Sequence, residues 1–201
     1  RDRYTTAGTY TYKIVEENTN ASGVTYDSNE WTVIVTVPED LSAPTVSYSK
    51  NDGSTNNEGA EFINTYAAAG TYTPAVKKVL NGRDLKSGEF SFTVTEVDAQ
   101  GAAVKGGYTS TKSNAADGTV TFDQITYSEA GTHYYKVTED AGQLGGVTYS
   151  NQSYTITVTV SDNGDGTLTA SADQQLNNLV FTNTYAAAGT YTPAVKKVLN
   201  G

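Results

Sequence analysis

Residues 64–82 recur unchanged at 183–201, an offset of 119 positions (183 − 64). A period of that length is a whole small domain and not a solenoid unit. A second correspondence lies upstream. Ala7-Gly8-Thr9-Tyr10-Thr11-Tyr12-Lys13-Ile14-Val15-Glu16-Glu17 answers Ala130-Gly131-Thr132-His133-Tyr134-Tyr135-Lys136-Val137-Thr138-Glu139-Asp140, and Trp31-Thr32-Val33-Ile34-Val35-Thr36-Val37 answers Tyr154-Thr155-Ile156-Thr157-Val158-Thr159-Val160. The offset there is 123, so the first copy carries four extra residues. The Asn-, Asp-, Ser- and Gly-rich stretch 38–59 can absorb them as a hairpin region. The chain therefore reads as the C-terminal half of one repeat (1–66), a complete repeat (67–185), and the linker and first strand of the next (186–201).

Within the complete copy, short segments rich in Thr, Val, Tyr and Phe are separated by turn signals such as Asp98-Ala99-Gln100-Gly101, Asp117-Gly118 and Asp162-Asn163-Gly164-Asp165-Gly166. Strands are expected near 72–80, 88–97, 107–112, 118–125, 131–139, 152–160, 166–172 and 178–185. No segment carries a convincing helical period. That pattern predicts an all-β, immunoglobulin-like β-sandwich in tandem repeat. The linker Ala67-Ala68-Ala69-Gly70 is too short for a floppy tether, so rod-like stacking of copies is expected.

Charge and composition exclude several functions. The chain has 22 acidic against 13 basic side chains, a net charge of −9, and neither Cys nor Met. An acidic balance argues against nucleic acid or an anionic membrane surface as partner. A thiol nucleophile is excluded, and His133 is the one histidine available to any triad or metal site. No apolar run is long enough to insert in a bilayer. The acidic run at 162–166 lacks the alternation and terminal Glu of a calcium loop and reads as a hairpin turn. No metal and no cofactor is expected. Tyr10 stands at the place of His133 in the first copy, and an exposed side chain is expected there.

Three polar residues fall where strand alternation expects apolar ones. Val76, Lys78 and Leu80 share a face, as do Tyr135, Val137 and Glu139, and Phe181, Asn183 and Tyr185. The first copy repeats the last two sets as Tyr12, Ile14, Glu16 and Phe62, Asn64, Tyr66. A buried amine tends to lose its charge and become a nucleophile, while an apolar site favours a neutral carboxylic acid able to donate and relay protons. Attack by Lys78 Nζ on the Asn183 carboxamide would expel ammonia and leave an isopeptide bond, with proximity supplying most of the rate. A buried, unreacted Lys-Glu pair with Asn183 bonded to the backbone satisfies the same phases. Two ambiguities stay open at this stage. A one-residue slip would exchange Lys77 for Lys78, and Glu96 also sits on an apolar phase, after Phe90, Phe92 and Val94.

The motifs Pro74-Ala-Val-Lys-Lys-Val-Leu, Tyr135-Lys-Val-Thr-Glu139 and Phe181-Thr-Asn183-Thr-Tyr, in that order, resemble the isopeptide-linkage repeat of Gram-positive backbone pilins and surface adhesins. That family is immunoglobulin-like, of the CnaB type. The resemblance implies Lys78 as amine, Glu139 as catalytic acid and proton shuttle, and Asn183 as acceptor. By position it gives Glu16 and Asn64 the same roles in the first copy, and makes Lys197 the amine of the third. It also implies a stalk or fibre repeat on a bacterial cell surface, anchored to the wall or built into a pilus. Its partners are then neighbouring copies of the repeat, with any host ligand held by a distal domain. The competing expectation is an adhesin module that itself binds a host glycan or protein. An enzyme acting on other molecules is the weakest option, because the cross-link consumes its own residues in one turnover.

Overall fold

The computed structural model of the chain describes residues 4–56 and 58–201. It divides into two compact units, one of residues 1–68 with 162–167 and one of 69–161 with 168–201.

The first unit is built on strands β1 (Gly8–Val15), β2 (Val24–Thr25), β3 (Glu30–Val37), β4 (Thr45–Lys50), β5 (Thr55–Asn56) and β6 (Thr65–Tyr66). β1, β3, β4 and β5 form one antiparallel sheet in that order, and β2 pairs antiparallel with β6. Alternation along β3 buries Trp31, Val33, Val35 and Val37. Tyr4, Tyr10 and Tyr48 pack over that valine row. The hairpin β4–β5 occupies the 38–59 stretch that the sequence marks as tolerant of insertion.

The second unit contains β7 (Gly70–Tyr72), β8 (Ala75–Asn81), β9 (Ser91–Val97), β10 (Thr109–Ser113), β11 (Thr119–Thr121), β12 (Ile125–Tyr127), β13 (Gly131–Glu139), β14 (Val147–Thr148), β15 (Ser153–Asp162), β16 (Leu168–Ala172) and β17 (Val180–Tyr185), with one 3₁₀ turn at Leu176–Asn178. β10-β9-β13-β15-β16 form a five-stranded sheet and β11-β8-β17-β14 a four-stranded one. β7 and β12 pair separately. The two larger sheets enclose a core of Val76, Leu80, Phe92, Val94, Val120, Tyr135, Val137, Ile156, Val158 and Phe181. Phe92 and Phe181 meet with ring centroids 5.2 Å apart, and Tyr154 meets Phe181 edge-on at 5.0 Å. The result is the expected all-β, immunoglobulin-like sandwich.

All eight expected segments carry strand. The first is cut in two at Thr73-Pro74, because proline has no N–H to give a ladder; its carbonyl still accepts the Phe122 N–H at 3.0 Å. The aspartates at 162 and 165 accept the N–H groups of Gly164 and Thr167, as a tight turn requires. Residues 186–201, expected to hold the linker and first strand of the next repeat, form no regular element and are exposed, although their sequence repeats that of β8. β8 is a strand because β11 and β17 flank it, and residues 186–201 pair with no strand among the described residues.

Candidate functional site

The site is built where the first long strand of the second unit meets the last one. β8 is the second strand of its sheet, antiparallel to β11 and parallel to β17, with Lys77 opposite both Thr119 and Val180. The Lys77 N–H bonds to Leu179 O at 2.9 Å on one side, and the Lys78 N–H to Gly118 O at 2.7 Å on the other. Pairing on both edges fixes the register, which turns Lys78 into the core and leaves Lys77 half-exposed. Lys78 is 1% exposed.

Gly118 makes this approach possible. Its φ is +86°, and a Cβ there would lie 2.1 Å from Lys78 O. The lysine ammonium ends 4.5 Å from the Phe90 ring centroid and 5.7 Å from that of Phe92. Phe90 is held by Asn114, itself 2% exposed, whose Oδ1 accepts the Phe90 N–H at 2.8 Å while Nδ2 donates to Lys86 O and Ala115 O.

Glu139 closes the site from the opposite sheet. It ends β13 opposite Phe92, and its side chain is 1% exposed. Lys78 Nζ lies 2.8 Å from Oε1 and 3.0 Å from Oε2. Asn183 is fully buried in β17, two residues beyond Phe181, the partner of Lys78 in the ladder, and so on the same face of the sheet. Its Nδ2 donates to Glu139 Oε1 at 2.6 Å. Both nitrogens therefore converge on one carboxylate oxygen. Burial pushes the Lys78 amine below its ordinary value of 10.5, with the Glu139 contacts opposing the shift.

One contact is the main-chain bond that the unreacted-pair reading assigns to Asn183. Asn183 Oδ1 faces away from Glu139 and accepts the Ser150 main-chain N–H at 2.7 Å. An N–H can only donate, so it claims the amide oxygen and leaves the NH₂ group to the carboxylate. Sequence reasoning missed Ser150, since a main-chain donor has no side-chain signature.

Glu96 lies elsewhere. Its Oε2 accepts the Tyr108 N–H at 2.9 Å, and its Oε1 is 3.2 Å from His133 Nδ1. The structure thus brings Lys78 to Glu139. His133 is a correction: it is half-buried against Tyr127, centroids 4.8 Å apart, because it shares the inward phase of Tyr135 and Val137.

The first unit repeats part of the arrangement. Asn64 Nδ2 donates to Glu16 Oε1 at 2.6 Å, and Asn64 Oδ1 accepts the Asp27 N–H at 2.8 Å. Glu16 Oε2, the counterpart of the Glu139 oxygen 3.0 Å from Lys78 Nζ, is buried and has no hydrogen-bond partner among the described residues. Lys197 stands exposed and in no strand.

Solved structures similar to this chain include three major pilins of Streptococcus pyogenes. The T3.2 pilin is 19% identical over 91% of this chain and 69% of its own, with a TM-score of 0.30. The T-13 pilin is 21% identical over 92% and 70%, with a TM-score of 0.32. A further major pilin is 20% identical over 92% and 72%, with a TM-score of 0.29. No curated protein sequence matches the chain. The family model described as FctA, the Spy0128-like isopeptide-containing domain, matches residues 2–67 and 74–186. With both stretches matched, one across each set of motifs, the chain belongs to the family of Spy0128-like isopeptide-containing domains.

Proposed function

We propose that this chain is a structural segment of a pilus or fibre on a Gram-positive cell surface, and that its second unit is closed by an autocatalytic bond between Lys78 and Asn183. The observation that carries this reading is the convergence of Lys78 Nζ and Asn183 Nδ2 on Glu139 Oε1, inside an apolar core. Glu139 accepts the proton that leaves the amine, and the freed Nζ attacks Asn183 Cγ. The fold holds the reactants beforehand, so no separate enzyme is needed.

Glu16 and Asn64 have the same roles in the first unit; a buried Glu16 Oε2 without a hydrogen-bond partner among the described residues supports this reading. Lys197 is the amine of a further copy. The function of the bond is mechanical. β8 and β17 are parallel neighbours, and a covalent link between them carries tension past the rest of the unit. Neighbouring copies along the fibre are the expected partners. The ligand-binding adhesin reading has no specific observation behind it.

The test is the intact mass of the denatured chain beside a Lys78→Ala control. The expected result is a deficit of one ammonia, abolished by the substitution. A full mass in the folded, purified chain refutes the bond.

A further inference from the structure

We propose that the main-chain N–H of Ser150 is the oxyanion donor for the condensation of Lys78 with Asn183. This inference rests on the cross-linking reading above and names a group that reading does not require.

The local fold delivers this N–H by leaving a ladder early. β14 pairs with β17 through only Val147↔Tyr185 and Thr148↔Thr184. The chain then turns away, with Tyr149 Oη accepting the Leu144 N–H at 3.1 Å, and the next N–H, that of Ser150, points at Asn183 Oδ1. The first unit, a copy of the same repeat, has the same geometry. There Val24↔Tyr66 and Thr25↔Thr65 are the only pairs, Tyr26 Oη accepts the Ala21 N–H at 3.2 Å, and the Asp27 N–H meets Asn64 Oδ1.

The two donor residues differ in side chain, Ser against Asp, and both side chains are occupied with the following turn. Ser150 Oγ accepts the Gln152 N–H, and Asp27 Oδ1 accepts the Asn29 N–H. What the two units share at this position is the main-chain donor.

The chemistry gives that donor a purpose. Glu139 removes one proton from the Lys78 ammonium, and neutral Nζ adds to Asn183 Cγ. The carbonyl electron pair moves onto Oδ1, which becomes an oxyanion facing the Ser150 N–H. Glu139 then passes its proton to Nδ2 and takes one from Nζ, both through the oxygen that already touches the two nitrogens. The pair on Oδ1 re-forms the carbonyl, the Cγ–Nδ2 bond breaks, and neutral ammonia leaves. A hydrogen bond to an anionic oxygen is about twice as strong as one to a neutral carbonyl, so this contact strengthens as the reaction proceeds. The same N–H also orients the carboxamide, placing the leaving nitrogen against the proton donor.

The experiment replaces the Ser150 peptide N–H by an ester oxygen in the full chain. The chain is assembled by ligation in denaturant, so that every sample starts unlinked, and ammonia loss is followed by mass after refolding. A Ser150→Ala chain made in the same way keeps the N–H, and a rate as slow as that of the ester chain would overturn the assignment to the main chain. The ester chain is expected to react on the order of a hundredfold more slowly, the usual loss for one oxyanion donor. Equal rates in ester and unmodified chains overturn the inference and leave the cross-link standing; no ammonia loss in the unmodified chain overturns the cross-link itself. If the ester chain does not fold, the Lys78→Ala chain decides by NMR. A scalar coupling across the hydrogen bond, from the Ser150 amide nitrogen to the Asn183 side-chain carbonyl carbon, is expected, and its absence overturns the assignment.

Discussion

Replacing Glu139 by Gln separates the proton shuttle from simple packing. Glutamine keeps the shape of the side chain, whose exposure is 1%, and one oxygen for Lys78 or Asn183, but it takes no proton from an amine. Loss of a positioned acid-base group slows a reaction by roughly 10²–10⁴-fold. The unlinked variant then loses the loop constraint between two strands about a hundred residues apart, worth roughly 4.7 kcal/mol on the chain-entropy account of cross-links. It also keeps an amine in the core with its counter-charge removed. Neutralising a lysine of ordinary value 10.5 at pH 7 costs about 5 kcal/mol at 1.36 kcal/mol per pH unit, the upper end of the range for breaking one side of a buried pair. Lys78→Met also loses the bond, and it leaves the Glu139 carboxylate in the core without its counter-charge, the same loss from the other side of the pair. Both single variants are therefore expected to be less stable than the double variant Lys78→Met/Glu139→Gln, which leaves neither charge in the core, by about 3–5 kcal/mol. Urea denaturation of the three chains, with intact mass on each, reads both quantities. Ammonia loss from Glu139→Gln at the rate of the unmodified chain would refute the shuttle, and single variants as stable as the double one would refute the buried-charge account.

Other perturbations test the supports of the site. Gly118→Ala places a methyl 2.1 Å from Lys78 O at a φ of +86°, so a loss of about 2 kcal/mol or more is expected in the denaturation midpoint, with slower cross-linking. Asn114→Ala leaves the Phe90 N–H and the Lys86 carbonyl without their partner, while the Ala115 carbonyl keeps the Gly118 N–H, and is expected to cost about 3 kcal/mol by the same assay. In an Asn183→Ala chain Lys78 stays an amine whose pKa is lowered by burial, so the unfolded state binds the proton more tightly. Its stability should rise with pH toward the ordinary lysine value of 10.5 and fall as pH drops through the depressed folded value, a slope that the linked chain, having no such amine, lacks.

Much of this arrangement is legible in period-two phase. Alternation alone puts Lys78, Glu139 and Asn183 on inward faces, and the structure buries all three side chains. Phase does not separate Lys77 from Lys78, since a slip is invisible in one strand; the ladders to β11 and β17 do. Nor does it separate Glu139 from Glu96, because both face inward. They differ in the height at which they enter the core. Glu139 lies opposite Phe92 at one end of the β9–β13 ladder, and Glu96 opposite Tyr135 toward the other, beside His133. His133 was legible in principle, having the parity of Tyr135. The short strands β12 and β14, and with β14 the Ser150 donor, leave no pattern long enough to read.

The two units together order the steps by which such a site closes. In the first unit the Glu16–Asn64 contact and the Asp27 N–H contact exist without a lysine, at distances matching those of Glu139, Asn183 and Ser150. The carboxyl, the amide and the oxyanion donor are therefore set by β1, β2 and β6, or by β13, β14 and β17, alone. The amine is different. Lys78 stands on a strand paired on both edges, with β11 on one side and β17 on the other. A segment whose strand depends on flanking partners delivers its lysine only after those partners are in place. On the proposed chemistry, condensation then follows docking of β8 between β11 and β17, and the bond locks a sandwich that packing has already selected.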